Sequence, residues 1–368
     1  MKDRVRVLHV IQNLNYGGME RLFADIVRRL DPARFESHVL VLGYFGRFAE
    51  GLDQFATLHQ AVSMSRFSML VPRSLARQIR GIAPDVVHTH SGVWYKTSLA
   101  ARMAGRSRLI HTEHGRQRPD PWTERKIGWL ASRRTDCVVA VSEILEQQLR
   151  ETVVAPGTAV RLIRNGVDTD QERPRPDSGS LRAELGLAGG TPVIGSIGRL
   201  EAIKGYDIMV EAFALLRRGW SGPEPPVLVV GGDGTERQEL QRRVDELGLD
   251  QSIKLLGWRD DIPDLRSAFT LFTMSSRSEG TSVSLLEAMS SGLCPVVTDV
   301  GGNADVLGNS LRHRLVIPES PSALAEAWIA ALADRGGLAR DGVLSRARIQ
   351  EKFSLDQMVR AYGELYVS

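Results

Sequence analysis

The sequence predicts an α/β protein made of two parallel-sheet units of similar size. Three observations lead there. The chain has 368 residues, more than one ordinary hydrophobic core organises. Short apolar runs alternate with amphipathic stretches from end to end, and a polar, proline-containing segment divides that alternation into halves.

In the first half, strands are expected at residues 5–11, 37–42, 86–88, 108–112, 137–141 and 160–163. In the second half they are expected at 193–197, 227–230, 253–256, 271–274, 295–298 and 313–316. Many of these runs do not alternate apolar with polar residues, the mark of strands covered on both faces. Stretches such as 19–30, 206–216, 237–247 and 322–332 supply the covering helices, with apolar residues at helical spacing. The least ordered stretch is 170–180, where charge, proline, serine and glycine mark a linker. No short-period repeat occurs, which excludes a solenoid.

Composition narrows the class. Hydrophobic residues at 42% and charged residues at 25% are ordinary for a soluble globular enzyme. Cys137 and Cys294, far apart and each beside an apolar run, read as two buried thiols in a reducing compartment. The first residues form a strand rather than a signal peptide, and no run approaches the ~18 apolar residues that span a bilayer. A cytoplasmic protein, or one peripheral to the inner face of a membrane, is expected. Net charge is +3, but residues 1–172 hold 25 Lys/Arg against 18 Asp/Glu (+7) and the remainder 22 against 26 (−4), which sums to +3. The basic half reads as an Arg-rich solvated surface or as a face for an anionic membrane or phosphorylated acceptor. A nucleic-acid partner is not expected, because no recognition motif or aromatic–basic platform accompanies the charge.

Three segments carry chemistry. Strand 5–11 leads through Asn15-Tyr16-Gly17-Gly18 into a helix, where adjacent glycines admit a ligand close to the backbone. The turn lacks the dinucleotide fingerprint, and by itself it serves structure as readily as binding. Arg199 and Lys204 follow strand 193–197, where two cations can clamp a diphosphate or simply be solvated. Segment 278–289 runs from a glycine-containing turn into an apolar helix starting near Ser282. Glu287 lies inside that apolar run, an expensive position unless it is hydrogen-bonded by a ribose diol or held in a buried ion pair.

Glu279 and Glu287 form a Glu-x7-Glu pair, and here the chain resembles glycosyltransferase family 4, retaining enzymes of the GT-B fold. The resemblance extends over nearly the whole chain. It includes Gly17-Gly18-Met19-Glu20, Glu113-His114-Gly115, Val141-Ser142, Asn165-Gly166-Val167-Asp168 and Gly198-Arg199-Leu200 with Lys204-Gly205. It continues through Gly231-Gly232-Asp233-Gly234, Leu256-Gly257-Trp258-Arg259 with Asp260-Asp261-Ile262-Pro263, and 278–289.

The resemblance implies two Rossmann-like domains facing across a cleft: 1–170 for the acceptor, 171–350 for a nucleotide-sugar donor, and a helix within 351–368 that returns to the first domain. It assigns Arg199 and Lys204 to the donor diphosphate, Glu287 to the ribose and Glu279 to the transferred sugar. Backbone N–H groups at Gly280, Thr281, Ser282 and Val283 would meet phosphate and sugar. Gly17 and Gly18 would approach the reaction centre, Gly257 and Trp258 would flank the base, and His114 would reach the transferred sugar. The implied activity is transfer of a sugar from a UDP- or GDP-sugar to a glycan, lipid-linked or small-molecule acceptor. No cofactor or metal is expected, since cations stand where a divalent ion would. The spacing of His88 and His90 suggests a metal pair, but no further ligand is near in sequence, and the suggestion is set aside. The acceptor is expected around Tyr16, 90–96 and 116–125. Residues 121–134 mix tryptophan with cations, as a membrane-grazing helix does, although packing of Trp129 and Leu130 onto the sheet is the more common reason for such a helix. A sugar-nucleotide epimerase on the same architecture is the alternative enzyme.

Overall fold

The computed structural model describes residues 4–15, 17–62, 71–105, 107–116 and 120–368. Of the positions singled out above, Tyr16 and residues 117–119 lie outside them, as do the first three residues. The chain forms two units, Met1–Gly166 with Leu355–Ser368, and Val167–Ser354.

Unit 1 is a seven-stranded parallel sheet, ordered β3-β2-β1-β4-β5-β6-β7. Its strands are β1 (Val5–Ile11), β2 (Phe35–Val41), β3 (Thr57–Gln60), β4 (Val86–His90), β5 (Arg108–Glu113), β6 (Cys137–Ala140) and β7 (Ala159–Leu162). Strands β4 and β6 are buried at every residue, which explains the unbroken apolar run of β6, while β4 buries His88 and His90 beside its valines. Strand β3 adds to the six expected here. Its sequence, Thr-Leu-His-Gln, has no apolar run because it is a half-exposed edge strand. Helices α1 (Gly18–Arg29), α2 (Arg73–Ile82), α3 (Trp94–Ala104), α4 (Trp122–Ser132) and α5 (Glu143–Gln148) connect the strands.

Unit 2 is a six-stranded parallel sheet, ordered β10-β9-β8-β11-β12-β13. The strands are β8 (Val193–Ile197), β9 (Val227–Gly231), β10 (Ile253–Gly257), β11 (Leu271–Met274), β12 (Pro295–Thr298) and β13 (Leu315–Val316). Helices α6 (Ser180–Leu185), α7 (Tyr206–Gly219), α8 (Arg237–Glu246), α9 (Ile262–Ser267), α10 (Val283–Ser290), α11 (Asn303–Leu307), α12 (Pro321–Ala333) and α13 (Arg335–Lys352) complete it. Two buried clusters, one built on Phe213 and Trp328 and the other on Phe272, Leu286 and Phe353, form its core. In both units the first strand is central and the order reverses beside it, between β1 and β4 and between β8 and β11. At such a reversal the loops leaving the carboxyl ends diverge and leave a crevice for a ligand.

The last helix, α14 (Leu355–Val367), belongs to unit 1. Its buried Tyr362 and Tyr366 reach the sheet face, where the Tyr366 hydroxyl meets His88 Nδ1 at 2.7 Å. Among the described residues no helix is long and apolar enough to cross a membrane. Both cysteines are free and buried.

Candidate active site

In unit 2 the loops after β8 and β11 are laced together. The first carries Arg199 and then a single 3-10 turn, Ala202–Lys204. Gly205 closes the turn at φ 64°, and a Cβ there would run into the Ser275 carbonyl oxygen, so only glycine lets the two loops touch. Ser275 Oγ donates to Gly205 O at 2.7 Å and to Lys204 O at 3.2 Å, while the Arg277 N–H donates to Ile203 O at 2.8 Å. This lacing brings Lys204 Nζ to Glu279 Oε1 at 2.6 Å. The same oxygen accepts from Ser276 Oγ at 2.7 Å. Glu279 Oε2 accepts no hydrogen bond among the described residues. Arg199 is exposed, and its side chain has no ion pair there either.

Helix α10 starts beside this pair. Thr281 and Ser282 are buried, and the Ser282 hydroxyl meets Ser284 Oγ at 3.1 Å instead of capping the helix. The positive end of α10 therefore has no side-chain cap, and first-turn N–H groups suit an anion. Gly280 is held from behind, its carbonyl accepting from the Gly302 N–H at 2.8 Å.

Glu287 lies one turn into α10 and is 4% exposed. Its Oε2 accepts from Arg266 Nη1 at 2.7 Å, and the other arm of Arg266 holds Glu172. All three side chains are buried. The buried-ion-pair explanation of Glu287 is thus realised as a triad, and the stretch taken for linker is anchored at Glu172. Gly257 and Trp258 sit at the end of β10, with Trp258 49% exposed and its Nε1 donating to Asp260 Oδ1 at 3.1 Å. They share the carboxyl edge of the unit 2 sheet with the laced loops but lie beyond β9.

In unit 1, Gly17 caps α1 with φ 162° and ψ 157°, an extended conformation open to any residue. The Glu20 carboxylate lies against it, so an acidic side chain already occupies part of the space at that helix start. His114 follows β5. Its N–H donates to Ser91 Oγ at 3.1 Å and to Glu113 Oε1 at 3.2 Å, and Arg116 Nη1 holds Glu113 Oε2 at 3.0 Å. Burial would raise the Glu113 pKa, but His111, Arg116 and Ser91 outweigh it and pull the carboxyl down to about 2. Glu113 therefore anchors the His114 backbone as a carboxylate. Burial pushes His114 itself down to about 4, so its ring is neutral at physiological pH. His114 Nε2 meets His90 Nδ1 at 3.3 Å.

The sequence expectation for His88 and His90 needs correction. Register pairs His9 of β1 with His88 of β4, and the donor nitrogens of His9, His88 and His90 lie within 4.8 Å of one another. The third imidazole comes from a distant strand, which spacing along the chain does not reveal. Helix α4 also differs from expectation. Gly128, Ala131 and Ser132 seat it, whereas Trp129 is 38% exposed beneath Arg133 and Trp122 is 65% exposed.

Sequence reasoning missed Arg266, Glu172 and Ser276, and it quoted Glu113 only beside His114, with no role of its own. Only one of the four left a signal, because an acidic residue inside an apolar helix demands a partner. That signal pointed to a partner, a ribose diol or a buried cation, without saying which.

Comparison with known proteins follows the same division of the chain. The model for glycosyltransferase family 4 matches residues 16–171, and that for glycosyl transferases group 1 matches residues 177–351. The lipopolysaccharide core biosynthesis mannosyltransferase LpsB of Rhizobium meliloti (strain 1021) is 31% identical over 271 residues, 71% of this chain and 72% of that protein. The UDP-Gal:alpha-D-GlcNAc-diphosphoundecaprenol alpha-1,3-galactosyltransferase of Escherichia coli is 28% identical over 334 residues, covering 85% and 84%. In fold, the chain matches Anabaena Alr3699/HepE in complex with UDP and glucose at a TM-score of 0.85 and 22% identity, covering 98% and 99%.

Proposed function

Because this chain belongs to glycosyltransferase family 4, and so is a GT-B glycosyltransferase acting on nucleotide sugars in glycoconjugate synthesis, we propose that it transfers a hexosyl group with retention from a UDP- or GDP-sugar to an acceptor hydroxyl. The observation that carries the donor assignment is the Lys204–Glu279 contact of 2.6 Å at the strand-order reversal, beside the uncapped start of α10. A cation for the diphosphate and a carboxylate for the sugar hydroxyls are thereby fixed side by side. Arg199, with no ion pair to give up, supplies the second cation.

In this reading the anomeric carbon–phosphate oxygen bond breaks as Arg199, Lys204 and the α10 N–H groups take up the leaving charge. The acceptor oxygen bonds to the anomeric carbon on the same face, and its proton passes to the departing phosphate oxygen. Preorganised cations and dipoles lower this barrier without an ion cofactor. Glu279 Oε2 is the oxygen offered to the sugar, Glu287 the carboxylate offered to the ribose, and Gly257 with Trp258 the lining for the base. Gly17 and Gly18 leave room near the reacting groups, and the neutral His114 supplies a hydrogen bond to the transferred sugar.

A uridine donor is supported by the UDP named with the Escherichia coli relative and with HepE. A lipid-linked acceptor is supported by the diphosphoundecaprenol of that relative. So is peripheral contact with the cytoplasmic face of a membrane, since Trp122 and Trp129 are exposed with Lys126 and Arg133 over their rings. Lys204→Ala tests the donor site. It should cut kcat at least about tenfold, near 1.4 kcal/mol of transition-state stabilisation, with the thermal midpoint nearly unchanged. Unchanged kinetics would remove the diphosphate assignment.

A further inference from the structure

Beneath α14, on one face of the unit 1 sheet, three imidazoles converge. His9, His88 and His90 are each 0% exposed. Neither ring nitrogen of His9 has a hydrogen-bond partner, and neither does His90 Nε2. Nonpolar packing against Phe23 and the neighbouring rings accounts for the shape of His9 but not for its two polar atoms. Each unpaired buried nitrogen costs on the order of its desolvation free energy, and phenylalanine would fill that volume without the penalty.

We propose that His9, His88 and His90 form a site for a divalent transition metal of the zinc, cobalt or nickel class, separate from the donor site. A metal–nitrogen bond is about 2.0–2.1 Å, so a tetrahedral ion places its ligand nitrogens about 3.4 Å apart. Donor atoms already within 4.8 Å of one another reach that spacing by modest ring rotation. An all-imidazole set selects borderline metals over magnesium or calcium, which need oxygen ligands.

The surroundings match what such a site requires. A ligating imidazole normally bonds a fixed partner through its second nitrogen. His88 Nε2 meets Thr112 Oγ1 at 2.7 Å, and Thr112 in turn meets the Tyr362 hydroxyl at 3.1 Å. His88 Nδ1 then binds the ion, and the Tyr366 hydroxyl, now 2.7 Å from that nitrogen, stands next to the coordination sphere as a fourth donor, an oxygen. His90 binds through its unpartnered Nε2, which leaves its Nδ1–H to donate to His114 Nε2 at 3.3 Å. Metal binding would fix His114 with its proton on Nδ1, making the ion a positioning device for that ring.

The test reads metal content and does not depend on turnover, so it stands apart from the donor assignment. The full chain, purified without a histidine tag and loaded with Zn2+ or Co2+, is dialysed and analysed for metal. One ion per chain is expected, and the Co2+ form should show the visible absorption of a low-coordinate nitrogen site. His9→Phe and His90→Phe, which keep an aromatic ring, should each lose the ion and the absorption. His59→Phe, in the separate His38–His59 pair, should keep both. If a Phe variant fails to fold, the wild-type Co2+ spectrum decides alone. Stoichiometry well below one, no visible absorption, or equal retention by wild type and a folded His9→Phe variant overturns the proposal.

Discussion

Replacing Arg266 by methionine should destabilise unit 2 severely, although the residue lies in an unremarkable stretch, Asp-Leu-Arg-Ser. The guanidinium is 2% exposed and holds two carboxylates, Glu172 and Glu287, each 4% exposed. Methionine fills much of the volume but leaves both acids without it. Removing one partner of a buried ion pair costs about 3–5 kcal/mol, because the other charge stays buried. For a unit of this size each kcal/mol shifts the midpoint by roughly 2–4 °C, so a fall of about 6–20 °C is expected. Calorimetry on wild type, Arg266→Met, Glu172→Gln and the double variant measures it. The two changes should be strongly non-additive, since Glu172→Gln removes one of the charges that Arg266→Met strands. A fall below about 2 °C, or simple additivity, would refute the view that Arg266 is the electrostatic keystone of this region.

The other predictions concern the donor site and unit 1. Glu287→Gln should raise the donor KM more than it lowers kcat, and Glu279→Gln should do the reverse, each by up to about ten- to a hundred-fold, the size expected for a lost hydrogen bond to a carboxylate; an unchanged donor KM in Glu287→Gln leaves that residue only its ion pair. Turnover should need no added Mg2+ or Mn2+, because Arg199 and Lys204 stand at the diphosphate; activity that depends on either ion contradicts this. Glu113 has a folded pKa of about 2 against an ordinary 4.5, so the unfolded chain binds more protons between those values. The stabilisation, about 3 kcal/mol, is fully present above pH 4.5 and is lost as pH falls toward 2. Midpoints measured from pH 5 to 3 should fall less steeply in Glu113→Gln, and parallel curves would contradict the assignment.

The strands could be read from the sequence because parallel strands buried on both faces write themselves as unbroken apolar or β-branched runs. Strand β3 could not, since an edge strand with exposed Thr57 and Gln60 carries no such run. Helix α4 was legible as a helix but not in its orientation. Its tryptophans suggest the packing face, yet Gly128 and Ala131 provide it, because close approach of the helix needs small residues there.

Site residues divide by how their contacts arise. Lys204 and Glu279 sit on loops at the carboxyl ends of adjacent strands, where the order of elements alone predicts proximity. Arg266 is different, since a cation on a short helix looks solvated until the fold brings Glu172 and Glu287 around it. The imidazole cluster is the extreme case. His88 and His90 announce a shared face by their alternation, but His9 joins them only through the β1–β4 register. A one-residue slip in that register would turn His9 to the opposite face and dissolve the cluster. The buried imidazoles are therefore a property of strand pairing, and a single sequence does not specify pairing between strands so far apart. The same reasoning makes His9→Phe the most informative substitution in unit 1. It preserves the packing that the register dictates and removes only the ring nitrogens, whose lack of partners the packing does not explain.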